Sequence, residues 1–241
     1  MADNESNQEF PVTSWMLVRS AAEDPAARAE LCARYFRPTY AFLRQLGCDR
    51  LDAEDLAQEF FARHVLDGRF LTSAREERGS FRSFLRTSLA HFRVDAIRKE
   101  RGRSGDRPRS LSFGDPAALD AIDLVVQDHG PDEAFDRAWA HALLEDALRD
   151  AEAECRRKGQ ELHWEAFERH RILPVRSGGP VPSLTEIGQA IGLDPRTAAD
   201  RIETVHRRVV RHVERRAGFG CSDQADREAE CRYVKALLIG K

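Results

Sequence analysis

Residues 102–131 are rich in Gly, Pro, Ser and Asp and carry no sustained helical period, whereas the stretches on both sides repeat their apolar residues at helical spacing. A chain patterned this way must fold as helical bodies on either side of a linker. At 241 residues it is long enough for two compact units, each burying its own core, and short for three. No convincing strand pattern occurs. The expectation is therefore an all-α protein, two small helical domains joined by an acidic flexible linker. Its divisions are a flexible N-terminus over 1–21, a first domain over 22–103, a linker over 104–131, a second domain over 132–216, and a tail with a short helix over 217–241.

Asp24-Pro25 opens the first helix, the carboxylate as cap and proline at a position whose N–H is not needed. Leu31, Tyr35, Phe42 and Leu46 follow at helical spacing. Pro38 is expected to kink or divide this stretch, and Gly47 to end it. A second helix starts near Asp52, with Leu56, Ala57, Phe60, Phe61, His64 and Val65 as its apolar stripe and Glu54, Asp55, Gln58 and Glu59 on the opposite face. After a polar loop over 69–79, a third long helix from Ser80 buries Phe81, Phe84, Leu85, Leu89, Phe92 and Ala96. Within the linker, Leu119, Ile122, Leu124, Val125 and Val126 are expected to form a short ordered turn. Helical pattern resumes at Pro131 and runs to about Lys158, followed by a helix over Glu161 to Ile172 and a Pro/Gly break from Pro174 to Pro182.

Formal net charge is only -3, so any nucleic-acid surface must come from segregation of charge along the chain. Segregation is present. From Arg78 to Arg109 ten basic residues stand against three acidic ones, and from Ser110 to Asp136 there are seven acids and no Lys or Arg. The third helix thus joins an apolar face to a basic one, Arg82, Arg86, Arg93, Arg98 and Lys99, continued by Arg101 and Arg103. A solvated face is the ordinary reading of such a helix, but surface helices usually interleave both signs. One-sided positive charge instead suits a track for a phosphate backbone. Phe70 and His91 nearby are candidates to stack on unpaired bases.

The segment SLTEIGQAIGLDPRTAADRIETVHRRVVRHVERR holds the sharpest local signal. Ser183 with Glu186 forms a capping box, Gly192 stops the first helix, and Asp194-Pro195 caps a second that runs to about Arg216. Two helices joined by a glycine turn describe a helix-turn-helix, a motif shared by DNA-binding and other helical hairpins. The second helix supplies Arg196, Thr197, Arg201, Thr204, Arg207 and Arg208 as donors for phosphates and base edges. Asp200 and Glu203 oppose them, and pairing with neighbouring arginines is the expected use of these acids.

The order of these parts resembles the sigma-70 family of transcription initiation factors, in its extracytoplasmic-function (ECF) branch. The resemblance runs over roughly residues 22–216, with the Asp-Ala-Glu-Asp-Leu-x-Gln-Glu-Phe-Phe run at 52–61 as its most specific part. It implies a region 2 helical bundle followed by a region 4 helix-turn-helix. In that family the acidic run presents its polar face to core RNA polymerase. Asp55 and Gln58 match the motif positions, and Glu54 and Glu59 flank the contact. The basic helix corresponds to the part that captures and melts the promoter -10 element, the preceding loop to the holder of a flipped-out base, and the second helix of the hairpin to the reader of the -35 element. The acidic linker would thread the active-site and RNA-exit channels. Three positions depart from the family's habit: Phe84 where tryptophan is common, Ala198 where a branched residue is common, and Asp200, unusual in the recognition helix. The implied partners are core RNA polymerase and promoter DNA; whether an anti-sigma factor or another regulator acts on the chain stays open.

Other classes fit less well. Asp52, Glu54, Asp55 and Glu59 do not make a metal centre, because oxygen-ligand sites draw carboxylates from more than one helix. Cys155, His163 and His170 lack zinc-finger spacing, and five cysteines without a Cys-x-x-Cys pair argue against both a disulfide framework and a zinc ribbon. With no phosphate loop and no nucleophile elbow, the expectation is a protein that is not an enzyme and has no cofactor, metal, membrane or small-molecule substrate. The polar, acidic start MADNESNQEF gives no export signal, so a cytoplasmic location is expected. A stand-alone helix-turn-helix regulator, or a sigma-like adaptor, remains the alternative.

Overall fold

The computed structural model describes residues 15–66, 69–74, 81–101, 119, 122–123, 129–218 and 224–239, and every regular element among them is helical. Two compact units divide the chain, Met1–Ala142 with Ala217–Lys241, and Leu143–Arg216.

The first unit begins with α1 (Trp15–Glu23), a helix where a flexible terminus is expected. Trp15, Leu17, Val18 and Ala21 are buried, and their spacing, with the Trp15 ring edge-on to Phe81 at 6.3 Å, explains why this stretch orders. Next comes α2 (Pro25–Gln45), capped by the Asp24 carboxylate, which accepts from the Ala26 N–H at 2.9 Å. Pro38 does not divide it: the helix is continuous and Pro38 sits on its buried face. Gly47, at φ 83°, makes the left-handed turn. Then α3 (Arg50–Phe60) starts at the Asp49 cap and continues as one wider π-helical turn over Phe61–Val65.

The expected loop after it is partly helical, α4 (Arg69–Ser73), because Phe70 packs on Phe60 and Phe84, at 5.4 and 4.8 Å between ring centroids. Helix α5 (Phe81–Arg101) buries Phe81, Leu85 and Leu89 completely. Phe92 packs beside this core, with its ring 5.5 Å from Phe60.

Two segments that the sequence assigned elsewhere complete this unit. Leu119 and Ile122, from the expected linker, lie in one apolar cluster with Tyr40, Ala53, Leu56, Ala57, Ala134 and Ala138. Asp123 beside them accepts from Arg44 Nε at 3.0 Å and from the Tyr40 hydroxyl at 3.1 Å, so these linker positions are anchored rather than flexible. The rest of that linker call lies outside the described residues. The first turns of α6 (Pro131–Arg157) and helix α11 (Gln224–Ile239) then cover α5.

The second unit contains the rest of α6, α7 (Glu161–Phe167), a π-helical turn over Glu168–Ile172, α8 (Leu173–Ser177), α9 (Leu184–Ile191) and α10 (Pro195–Ala217), whose last residue is grouped with the first unit. Helix therefore extends through Pro174, inside the expected Pro/Gly break, and Gly178 ends it at φ 64°. Leu143, Ala147, Ala151 and Cys155 form a buried stripe along α6, where small side chains allow close approach of another helix. Ala198, Ile202, Val205, Val209 and Val213 are the buried stripe of α10.

Candidate functional site

The outer face of α3 is set by its cap. Asp49 accepts from the Asp52 N–H at 2.8 Å and starts the helix so that Ala53, Leu56, Ala57 and Phe60 turn into the core. Asp55, Gln58 and Glu59 are then half-exposed, and Glu59 pairs one turn along with Arg63 at 2.6 Å. Glu54 departs from expectation: at 3% exposure it faces inward, so it does not flank an outer contact in this structure. Gln58 Nε2 is buried and finds no partner among the described residues.

Helix α5 splits the basic face that the sequence drew as one. Arg82 is buried between two carboxylates, with Nη1 donating to Glu230 Oε1 at 2.5 Å and Nε lying 3.5 Å from Asp136 Oδ1. Its guanidinium also stacks over Trp139 at 4.2 Å. Arg86 donates to Asp136 Oδ2 at 2.8 Å and lies 3.2 Å from Asp132. Both residues are thus internal, a correction to their place in an outward basic track. The cause is the periodicity of the helix: positions 82 and 86 lie one turn apart on the side covered by α6. Burial works against the Arg82 charge, but Glu230 and Asp136 more than offset it, holding its pKa above the ordinary value. Glu230 is pushed the other way, above the usual carboxylate range, by burial that Arg82 only partly counters.

Farther along, Arg93 is half-exposed, and Arg98 is exposed beside Asp95 at 3.5 Å. The backbone of Lys99 and Arg101 lies in α5, while Arg103 is outside the described residues. His91 is exposed; Phe70 is not an open stacking platform, being packed as described above.

In the second unit, Ser183 accepts from the Glu186 N–H at 3.2 Å while the Glu186 carboxylate accepts from the Ser183 N–H at 2.7 Å, the reciprocal capping box. Gly192 stands at φ 70°. A Cβ on Gly188 would lie 2.5 Å from the Leu193 carbonyl oxygen, so only glycine lets the turn close onto α9.

Asp194 caps α10, accepting from both the N–H and the hydroxyl of Thr197, at 2.9 and 2.5 Å. Thr197 is therefore committed to the cap, and the Thr204 hydroxyl donates to the Asp200 carbonyl at 2.8 Å. Arg196 and Arg207 are exposed and Arg201 is half-exposed, with Arg207 3.5 Å from Glu203, the expected acid–arginine pairing.

Arg208 is a second correction: it is buried, donating to Gln160 Oε1 at 2.5 Å and to Cys155 Sγ at 3.1 Å. It joins a network that the sequence did not announce. Glu154 receives Lys158 at 2.6 Å, Arg211 at 2.9 Å and His212 at 3.1 Å. The Lys158 bond first, then those from His212 and Arg211, overcome burial and lower the Glu154 pKa to about 2. The sequence carries only an indirect sign of it, five arginines crowded into 207–216 with too few acids nearby in sequence to balance them.

Among the described residues no group of His, Cys, Asp or Glu is placed to hold a metal ion, and no helix is long and apolar enough to cross a membrane. No curated protein and no solved structure matches the chain. Residues 31–103, which run from α2 to just past the end of α5, match the family model Sigma-70 region 2.

Proposed function

We propose that this chain is a sigma factor of the ECF branch, which binds core RNA polymerase and directs it to promoters by recognising -10 and -35 elements. The observation that carries the reading is the coincidence of the region 2 match with α3, whose Asp55 and Glu59 are half-exposed inside the matched segment. Asp55, Gln58 and Glu59 are the polymerase-facing residues; their charge and amide groups complement a basic partner surface. Arg93, Arg98, Lys99, Arg101 and Arg103 serve the -10 element, the last three placed by sequence alone. Helices α9 and α10 form the helix-turn-helix, and Arg196, Arg201 and Arg207 are its groove-facing donors. In this reading the protein is not an enzyme and works in the cytoplasm, with core RNA polymerase and promoter DNA as its partners.

Capture of purified core RNA polymerase on the immobilised chain tests this directly. Wild type retains core enzyme. The double variant Asp55→Lys and Glu59→Lys loses it while its helical circular dichroism is unchanged, since both positions lie on the polar face. Failure of the wild type to bind core refutes the proposal, and sequence-specific DNA binding at full strength without core would move the chain to the stand-alone helix-turn-helix regulators.

A further inference from the structure

The buried cluster around Arg82 belongs to none of these surfaces. Three helices far apart in sequence meet there: α5 with Arg82, α6 with Asp136 and Trp139, and α11 with Glu230 and Tyr233. The Glu230 carboxylate takes both ends of the Arg82 guanidinium, Nη1 at 2.5 Å and Nη2 at 3.4 Å, and also feels the charge of Arg34 on α2. The Tyr233 hydroxyl donates to Asp136 Oδ2 at 2.7 Å and its ring lies 5.3 Å from the guanidinium carbon. Three charged groups, Arg82, Asp136 and Glu230, are thus withdrawn from water where an apolar core would have served.

Burying a salt bridge of this kind contributes little net stability, because desolvation cancels most of the attraction. The geometry has a second property. A guanidinium fork that grips a carboxylate in two places grips a phosphate in the same way. Arg82 also lies on the same side of α5 as the half-exposed Arg93, three helical turns along.

We propose that Arg82 is a covered phosphate site and that Glu230 of α11 is its built-in plug. A nucleic-acid backbone reaching the first turns of α5 displaces α11, and Arg82, with Arg34 beside it, exchanges a carboxylate for a backbone phosphate. Asp136 stays on Arg82 and Arg86 throughout, so one contact is uncovered rather than a whole track. The inference rests on the proposed function in requiring that the chain binds nucleic acid.

The test uses the full chain and a fluorescein-labelled single-stranded 20-nucleotide DNA. Hydrogen exchange comes first, because it needs no variant: with saturating DNA the amides of α11 exchange faster while those of α5 are protected. Unchanged exchange in α11 on binding overturns the plug. Next, affinity is measured across a salt series for wild type, E230Q and R82Q/E230Q. E230Q tightens binding several-fold near 0.1 M salt, and its log–log salt slope steepens by about 0.7, the value for one added phosphate on a single strand. In R82Q/E230Q, where two neutral amides replace the pair and the packing is retained, that gain disappears. A gain that survives in the double variant, or no gain in E230Q, overturns the assignment of Arg82. No salt-dependent binding by any form refutes the nucleic-acid reading itself, and the plug with it.

Discussion

The two units treat the same residue type in different ways. In the first, the arginines of α5 at 82 and 86 are locked inside by carboxylates from α6 and α11, and only the later turns of the helix face outward. In the second, α10 divides its arginines by face: Arg196 and Arg207 are exposed, Arg208 beside Arg207 is buried, and Arg211, Arg215 and Arg216 pair with acids of α6. A basic helix in a sequence is therefore two different objects. Which object it is depends on where the matching acids arrive from, and in both units they arrive from α6, an element whose acids look surplus when read alone.

This contrast can be broken most forcefully at Arg82. Arg82→Ala leaves Glu230 buried without its partner and is expected to cost about 3–5 kcal/mol, whereas Arg196→Ala, on an exposed early turn, should stay within about 0.5 kcal/mol. Denaturant titration of both variants checks the pair, and equal costs would erase the distinction between the two helices.

Glu154 is the corresponding point in the second unit. Glu154→Ala strips Lys158, Arg211 and His212 of their shared acceptor and is expected to cost about 2–3 kcal/mol, read by hydrogen exchange across residues 143–216. Its acid dependence follows in sign. Because the folded carboxyl is held at about 2 against an ordinary 4.5, its contribution is complete above pH 4.5 and fades as pH falls toward 2. The Arg82 cluster gives no such signature at Glu230, whose folded pKa is raised. Acid melts that weaken the first unit through Glu230 over the same range would contradict that difference.

Smaller effects refine the picture of the α9–α10 turn. Gly188→Ala forces a Cβ against the Leu193 carbonyl and should cost about 1–3 kcal/mol. Ser183→Ala removes one half of the capping box and should cost about 1 kcal/mol. Thermal unfolding ranks the two; the reverse order would mean that the turn relaxes more easily than its close approach implies.

Local chemistry made much of this legible in advance. The caps at Asp24, Ser183 and Asp194, the glycine turns at 47 and 192, and the buried stripes of α3 and α5 all rest on neighbours within a few residues, which is the range over which sequence patterns carry information. The long-range pairings were not legible. Arg82 with Glu230 spans 148 positions and Arg44 with Asp123 spans 79, and no periodicity connects such partners. Arg82, Arg86 and Arg208 were consequently assigned to outer faces. Helix α1 was readable, since Trp15, Leu17, Val18 and Ala21 carry an apolar stripe, but its polar, acidic approach at 1–9 hid it.

The first unit is assembled from segments that leave the ribosome at different times. Helices α1 to α5 and the start of α6 emerge early, whereas Glu230 follows Asp136 by almost a hundred residues, an interval of roughly 5–20 s at ordinary translation speeds. Until then Asp136 is the one of its two acids that Arg82 can reach. A nascent chain in that interval is where a chaperone or a nucleic acid would meet Arg82 before its own C-terminal helix does.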